Sequence, residues 1–108
     1  MRLRLLLDEC IDERFRHSFV EHECQTVRYA RLSGLKNGRL LTEAERANFD
    51  VLITLDRSIY AQQNFDGRRI SVLIMRTPSS DLDDLLPLLT IALAALLQIR
   101  PGQVFRIP

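Results

Sequence analysis

The sequence predicts an α/β domain with a mostly parallel central sheet of about five strands and helices on both faces. Three observations predict it. Two short apolar runs, Leu3 to Leu7 and Val51 to Leu55, stop abruptly on acid, at Asp8-Glu9 and at Asp56. Strands buried on both faces of a parallel sheet read as such continuous apolar runs. A third run, Ile70 to Met75, is again apolar and β-branched, and candidate strands and helices alternate along the chain.

The elements follow in order. Strand one covers about Arg2 to Asp8. Ile11 to Glu21 reads as a helix with Ile11, Phe15, Ser18, Phe19 and His22 near one face. Cys24 to Tyr29 alternates weakly and suits a second strand, and Arg31 to Gly38 is a loop carrying Gly34 and Gly38. Asn37 is placed to cap a helix from Gly38 to about Asn48, whose apolar stripe is Leu40, Leu41, Ala44 and Ala47. Asp50 to Leu55 is the third strand. A short helical segment follows from Arg57 to Gln63, and Asp66-Gly67 signals a turn. After the fourth strand, Ile70 to Met75, Ser80 opens the last helix, with Asp81, Asp83 and Asp84 favoured in its first turn by the helix dipole. Pro87 kinks that helix or marks where its main body begins. Pro101-Gly102 ends it, and Gln103 to Ile107 makes a final edge strand.

At 108 residues the chain fits one domain, residues 1–108, and 46% hydrophobic with 27% charged content is that of an ordinary globular protein. A net charge of +1 excludes a global basic field as the means of holding nucleic acid. Fourteen of the basic residues are Arg and only Lys36 is lysine. Arg makes bidentate contacts with phosphate and carboxylate, which favours phosphate or acidic partners weakly; compositional bias is the bland alternative. The apolar run after Met1 is too short for a signal peptide, and Leu85 to Leu97 falls short of the roughly 20 residues that span a bilayer. A cytoplasmic protein with no membrane partner is expected. Cys10 and Cys24 are expected to be reduced thiols in packing roles, because with His17 and His22 they show no zinc-ligand spacing.

In a parallel sheet the carboxyl ends of all strands share one edge, and ligands bind at that edge. Asp8 and Asp56 are therefore expected to meet although 48 positions separate them. Converging carboxylates suit a hard divalent cation, and the bland alternative is that Asp8 caps the following helix. Glu9 stands beside Asp8. Glu43, on the middle helix, is the candidate for a further acid, while Glu45 on its other flank is expected to be solvated. Arg39, in the first turn of that helix, has three candidate roles: pairing with Glu43, reaching Asp8 or Asp56, or binding phosphate. Arg57 is a phosphate candidate. Gln62, Gln63 and Asn64 supply three consecutive amides able to hydrogen-bond bases or backbone, unless they simply end a solvated helix. No Gly-rich phosphate loop, Ser-His-Asp order or catalytic CxxC is present.

At these residues the chain resembles the short bacterial PIN-like proteins often encoded beside small antitoxins. The matching pieces are Leu6-Leu7-Asp8-Glu9, Leu35-Lys36-Asn37-Gly38, Phe49 to Arg57 with its Thr54-x-Asp56-Arg57 ending, Gln62-Gln63-Asn64 and the Ile70 to Met75 strand. The resemblance implies a three-layer PIN-like (Rossmann-like) fold and a metal-dependent ribonuclease. It places Mg²⁺ or Mn²⁺ on Asp8 and Asp56, with Glu9 close by. It further implies a toxin that cuts RNA and is restrained by an antitoxin protein. Two positions depart from the family pattern: Arg39 stands where related chains carry an acid, and Ser58 where many have Asp or Asn.

The leading expectation is a toxin endoribonuclease in which Asp8 and Asp56 hold the metal and Glu9 or Glu43 assists. Lys36, Arg39 and Arg57 would bind phosphates. The alternative is a catalytically impaired PIN-like binding or regulatory module, which Arg39 favours. A phospho-receiver domain also gathers acids at this edge, but it uses a lysine at the end of the last strand, and Lys36 lies in a loop. Finally, Leu85 to Ile99 is apolar almost all round, which marks a core helix and offers a surface for an antitoxin segment or a homodimer contact.

Overall fold

The computed structural model describes residues 2–57, 65 and 67–107. Five strands form one sheet: β1 (Arg4–Leu7), β2 (Glu23–Thr26), β3 (Val51–Thr54), β4 (Ser71–Ile74) and β5 (Val104–Arg106). Their order is β2-β1-β3-β4-β5, and every neighbouring pair is parallel. The expected α/β architecture is thus present, with β2 and β5 at the edges.

Period-2 alternation splits the apolar runs between two cores. Leu5, Leu7, Val51, Ile53 and Leu73 face one side with Phe15, Phe19, Leu85, Ala92 and Leu96. Leu6, Leu52, Val72 and Ile74 face the other with Leu40, Leu41 and Ala44 of α1 (Asn37–Arg46). A sheet buried on both faces cannot show polar alternation. That is why its central strands read as uninterrupted hydrophobic stretches.

Three local expectations are corrected. The segment expected as a helix from Ile11 to Glu21 is a 3-10 helix over Glu13–Ser18. It returns the chain from the carboxyl end of β1 to the start of β2, a strand length of about 13 Å. Six residues at about 2 Å rise each nearly cover that distance, whereas an α-helix of six would cover about 9 Å. Asn37 does not cap α1; Lys36 is the N-cap, without a side-chain cap bond, and Asn37 is the first helical residue at φ +54°. The last helix is segmented into α2 (Leu82–Leu85), a 3-10 turn (Leu86–Leu88) and α3 (Leu89–Leu96), with Asp81 rather than Ser80 at the N-cap. Pro87 lies in the break, because it lacks the N–H that would continue the α-helical ladder.

Glu45, expected to be solvated, instead ties α1 to the segment preceding β4. Its carboxylate accepts from Arg68 Nη1 at 2.8 Å, from the Arg69 N–H at 2.7 Å and from the Ile70 N–H at 3.4 Å. Both cysteines are free, as expected; Cys24 is half-buried, but Cys10 is exposed rather than packed inside. Among the described residues no helix is long and apolar enough to cross a membrane.

Candidate functional site at the carboxyl edge of β1 and β3

From β1 the chain passes to β2 on one side, and the following strand, β3, is added on the other. The crevice between β1 and β3 is therefore the topological switch point, where open α/β sheets hold ligands. A cavity of about 410 Å³ opens there, and Asp8, Glu9 and Asp56 line it together with Lys36 and Asn37 at the N-terminus of α1. The two aspartates, distant in sequence, reach one cavity wall.

Strand register explains how. Leu7 pairs with Ile53, so Asp8 emerges level with Thr54, and its N–H donates to Ile53 O at 2.9 Å. Thr54 is fully buried at the end of β3. Its hydroxyl donates to Asp8 Oδ2 at 2.6 Å and accepts the Asp56 N–H at 3.1 Å, so a single oxygen links the two acidic positions. The other Asp8 oxygen, Oδ1, accepts the Glu9 N–H at 2.8 Å. Asp8 is thus held from two directions by neutral donors, an arrangement that fixes its rotamer without cancelling its charge.

Glu9 reaches outward. Its Oε1 accepts the Gly34 N–H at 2.7 Å, which closes the loop before α1 onto the end of β1. Gly34 sits at φ +85°, a conformation that side chains with a Cβ rarely adopt, so a glycine serves this contact well. Thr54 and Gly34 are the two site residues that sequence reasoning missed as participants. A threonine closing an otherwise apolar run two residues before an acid was the available signal for Thr54; Gly34 gave none beyond marking a loop.

The remaining candidates separate clearly. Lys36 is exposed and lines the cavity. Arg39 is exposed, lies outside the cavity lining and forms no ion pair among the described residues. Glu43 also lies outside the lining and pairs with Arg46 at 3.6 Å; of the three candidate roles of Arg39, pairing with Glu43 is not seen among the described residues. Arg57 is exposed directly after Asp56. Gln62, Gln63, Asn64 and Ser58 lie outside the described residues, as does most of the helical segment expected from Arg57 to Gln63. Cys10 joins the lining beside Leu55. Although the residue is exposed, partial burial of its sulfur pushes the thiol above its ordinary value and the Asp8 charge adds to this, so the neutral thiol prevails near neutral pH.

A second cavity of about 290 Å³ lies on the β2 side of the same acids, lined by Asp8, Glu9, Glu13, Thr26, Arg28 and Ser33 among others.

As a test for a divalent cation, the donor set is mixed. Asp8 and Asp56 supply two hard carboxylates at one wall, and Asp8 is braced by the hydrogen bonds that ligating carboxylates commonly have. Among the described residues no group of three His, Cys, Asp or Glu side chains stands ready to hold a metal ion. Two carboxylates with water and a substrate phosphate suit Mg²⁺, which keeps several waters; they do not suit a cation that needs an all-protein cage. Comparison with protein-family models, curated proteins and solved structures yields no match to this chain.

Proposed function

We propose that the cavity at the β1–β3 edge is the active site of a metal-dependent endoribonuclease that cleaves RNA phosphodiesters. One observation carries the reading: Asp8 and Asp56 line the same cavity as Lys36 and the N-terminus of α1. Acids and an anion-binding element lining one cavity are what phosphodiester hydrolysis with a divalent ion requires. The first turn of α1 contains no acid, so its N–H groups and Lys36 present positive potential to a phosphate. Mg²⁺ or Mn²⁺, when held by Asp8 and Asp56, supplies Lewis acidity and a more acidic bound water. Thr54 fixes the Asp8 carboxylate by its hydrogen bond, and exposed Arg57 is available to an adjacent phosphate. The reading extends to a toxin restrained by an antitoxin protein, as the family resemblance implies.

A second reading is that of a binding module that holds RNA or a phosphate ligand without cleaving it. What favours it is the fate of the further acids. Glu43 lies outside the cavity lining and pairs with Arg46, and among the described residues no group of three His, Cys, Asp or Glu side chains gathers to hold an ion. Arg39 no longer argues for this reading, since it stands away from the cavity.

RNA cleavage with Mg²⁺ or Mn²⁺ decides between them. Asp8→Ala and Asp56→Ala are each expected to lower cleavage more than about a hundredfold, beyond the usual loss for an outer-shell partner. Cleavage that survives both changes overturns the nuclease proposal. Binding without cleavage by the wild type supports the module. Arg39→Glu is expected to leave activity nearly unchanged.

A further inference from the structure

From Leu85 to Ile99 the chain carries no charged residue. This stretch ends α2, makes the 3-10 turn and forms α3. Leu85, Ala92, Ala95 and Leu96 are buried against the sheet. On the opposite side Leu86 is 42%, Ile91 48% and Leu97 72% exposed. Pro87, Thr90 and Ala94 are exposed among them, so the outward positions form one uncharged row. Asp83 is exposed at the head of this row and Arg100 is exposed at its foot.

One antiparallel register serves both the apolar and the charged ends of the row. Leu86 and Leu97 are equally far in sequence from the midpoint between Ile91 and Ala92, and Asp83 and Arg100 share that same midpoint. In an isologous contact residue i meets j while j meets i, so a shared midpoint lets a single register bring both pairs together. We propose that the α2–α3 row is a homodimer interface, with two copies packed antiparallel about a two-fold axis near Ile91. Leu86 then meets the partner's Leu97, Ile91 meets the partner's Ile91, and Asp83 meets the partner's Arg100, each outer contact occurring twice.

Charge complementarity selects a second copy as occupant. Acid at one end and Arg at the other repel in a parallel pairing and attract in an antiparallel one. The uncharged middle offers nothing to a strongly charged partner. No residue of the row lines either cavity, so both candidate sites stay open in the dimer. The inference therefore stands or falls independently of the nuclease reading.

Sedimentation of the full chain over a concentration series tests it. The wild type is expected to sediment at twice the single-chain mass, and Ile91→Arg as a monomer with unchanged far-UV circular dichroism. Should that variant misfold, Leu97→Glu on a largely exposed position serves instead, with the same expected loss. Asp83→Arg and Arg100→Asp are each expected to weaken the dimer about tenfold, since two copies of the pair are lost, and the double exchange to restore it. A wild type monomeric up to about 1 mM, beyond the range of weak specific association, overturns the proposal. A dimer that persists in both apolar-row variants also overturns it. A double exchange no tighter than either single change overturns the antiparallel register.

Discussion

Replacing Thr54 with valine removes one hydroxyl and keeps the branched shape that the end of β3 buries. That hydroxyl donates to Asp8 Oδ2 at 2.6 Å and accepts the Asp56 N–H at 3.1 Å. A hydrogen bond to a charged group contributes roughly 1.5–3 kcal/mol and a neutral one roughly 0.5–1.5 kcal/mol. Asp8 and Asp56 are both half-buried, so water replaces part of what is lost. The expected net destabilisation is about 1–2 kcal/mol, read as a fall in the urea midpoint at constant m. Thr54→Ser, which retains the hydroxyl, separates the polar loss from that of a core methyl. In an Asp8→Ala background the valine change is expected to cost about 1 kcal/mol less, since the two residues share one interaction. A valine variant as stable as the wild type, or the same cost with and without Asp8, would refute the idea that Thr54 braces the acidic wall.

Gly102 sits at φ +76°, and a Cβ there would lie 2.8 Å from the Arg68 carbonyl oxygen, so Gly102→Ala is expected to cost about 2 kcal/mol or more in chemical denaturation. Gly67→Ala, at φ +78° but facing open space, is expected to cost about 1 kcal/mol. For Glu45, burial raises the pKa, but the N–H groups of Arg69 and Ile70 and the Arg68 guanidinium outweigh it and leave the value lowered. Its stabilisation is therefore present above the ordinary value of 4.5 and is lost as pH falls below it; Glu45→Gln is expected to cost roughly 1–3 kcal/mol at pH 7 and to flatten the acid limb of the stability curve. His22 is lowered by burial, and its Nδ1 accepts the Leu3 N–H at 3.0 Å, which only an unprotonated nitrogen can do. Native stability from this residue is thus present above pH 6.5 and declines below it, so His22→Gln is expected to show a smaller loss between pH 7 and 5 in thermal melts.

How legible the molecule was in its sequence depended on whether a signal was local. β1, β3 and β4 were readable because burial on both faces leaves no polar interruption, and an abrupt acid marks where each of the first two leaves the sheet. That Asp8 and Asp56 line one cavity follows from parallel pairing of the two strands that these acids end. The 3-10 helix was read as longer and α-helical because Ile11, Phe15 and Phe19 repeat at four-residue spacing. That spacing records which side is buried, whereas the rise per residue is set by the distance the crossover must cover. Glu45 departs from expectation for a different reason. The flank that Glu45 occupies on its own helix does not reveal the donors before β4 that claim it, and Arg39, which has three candidate roles, forms no ion pair among the described residues.

The same distinction bears on the candidate site. Asp8 Oδ2 and the Asp56 N–H converge on Thr54 Oγ1, so the geometry of the acidic wall is set by the sheet before any ligand arrives. A wall preset by protein donors need not move its acids to bind, which lowers the ordering cost of binding. Glu9 behaves differently, because its bond to the Gly34 N–H joins the β1 end to the loop carrying Lys36. Loss of that bond would displace the cationic wall and leave the acidic one in place. Glu9→Gln, which still accepts from Gly34, is accordingly expected to keep phosphate affinity, while Glu9→Ala is expected to weaken it. Equal affinities for the two variants would show that Glu9 plays no part in positioning Lys36.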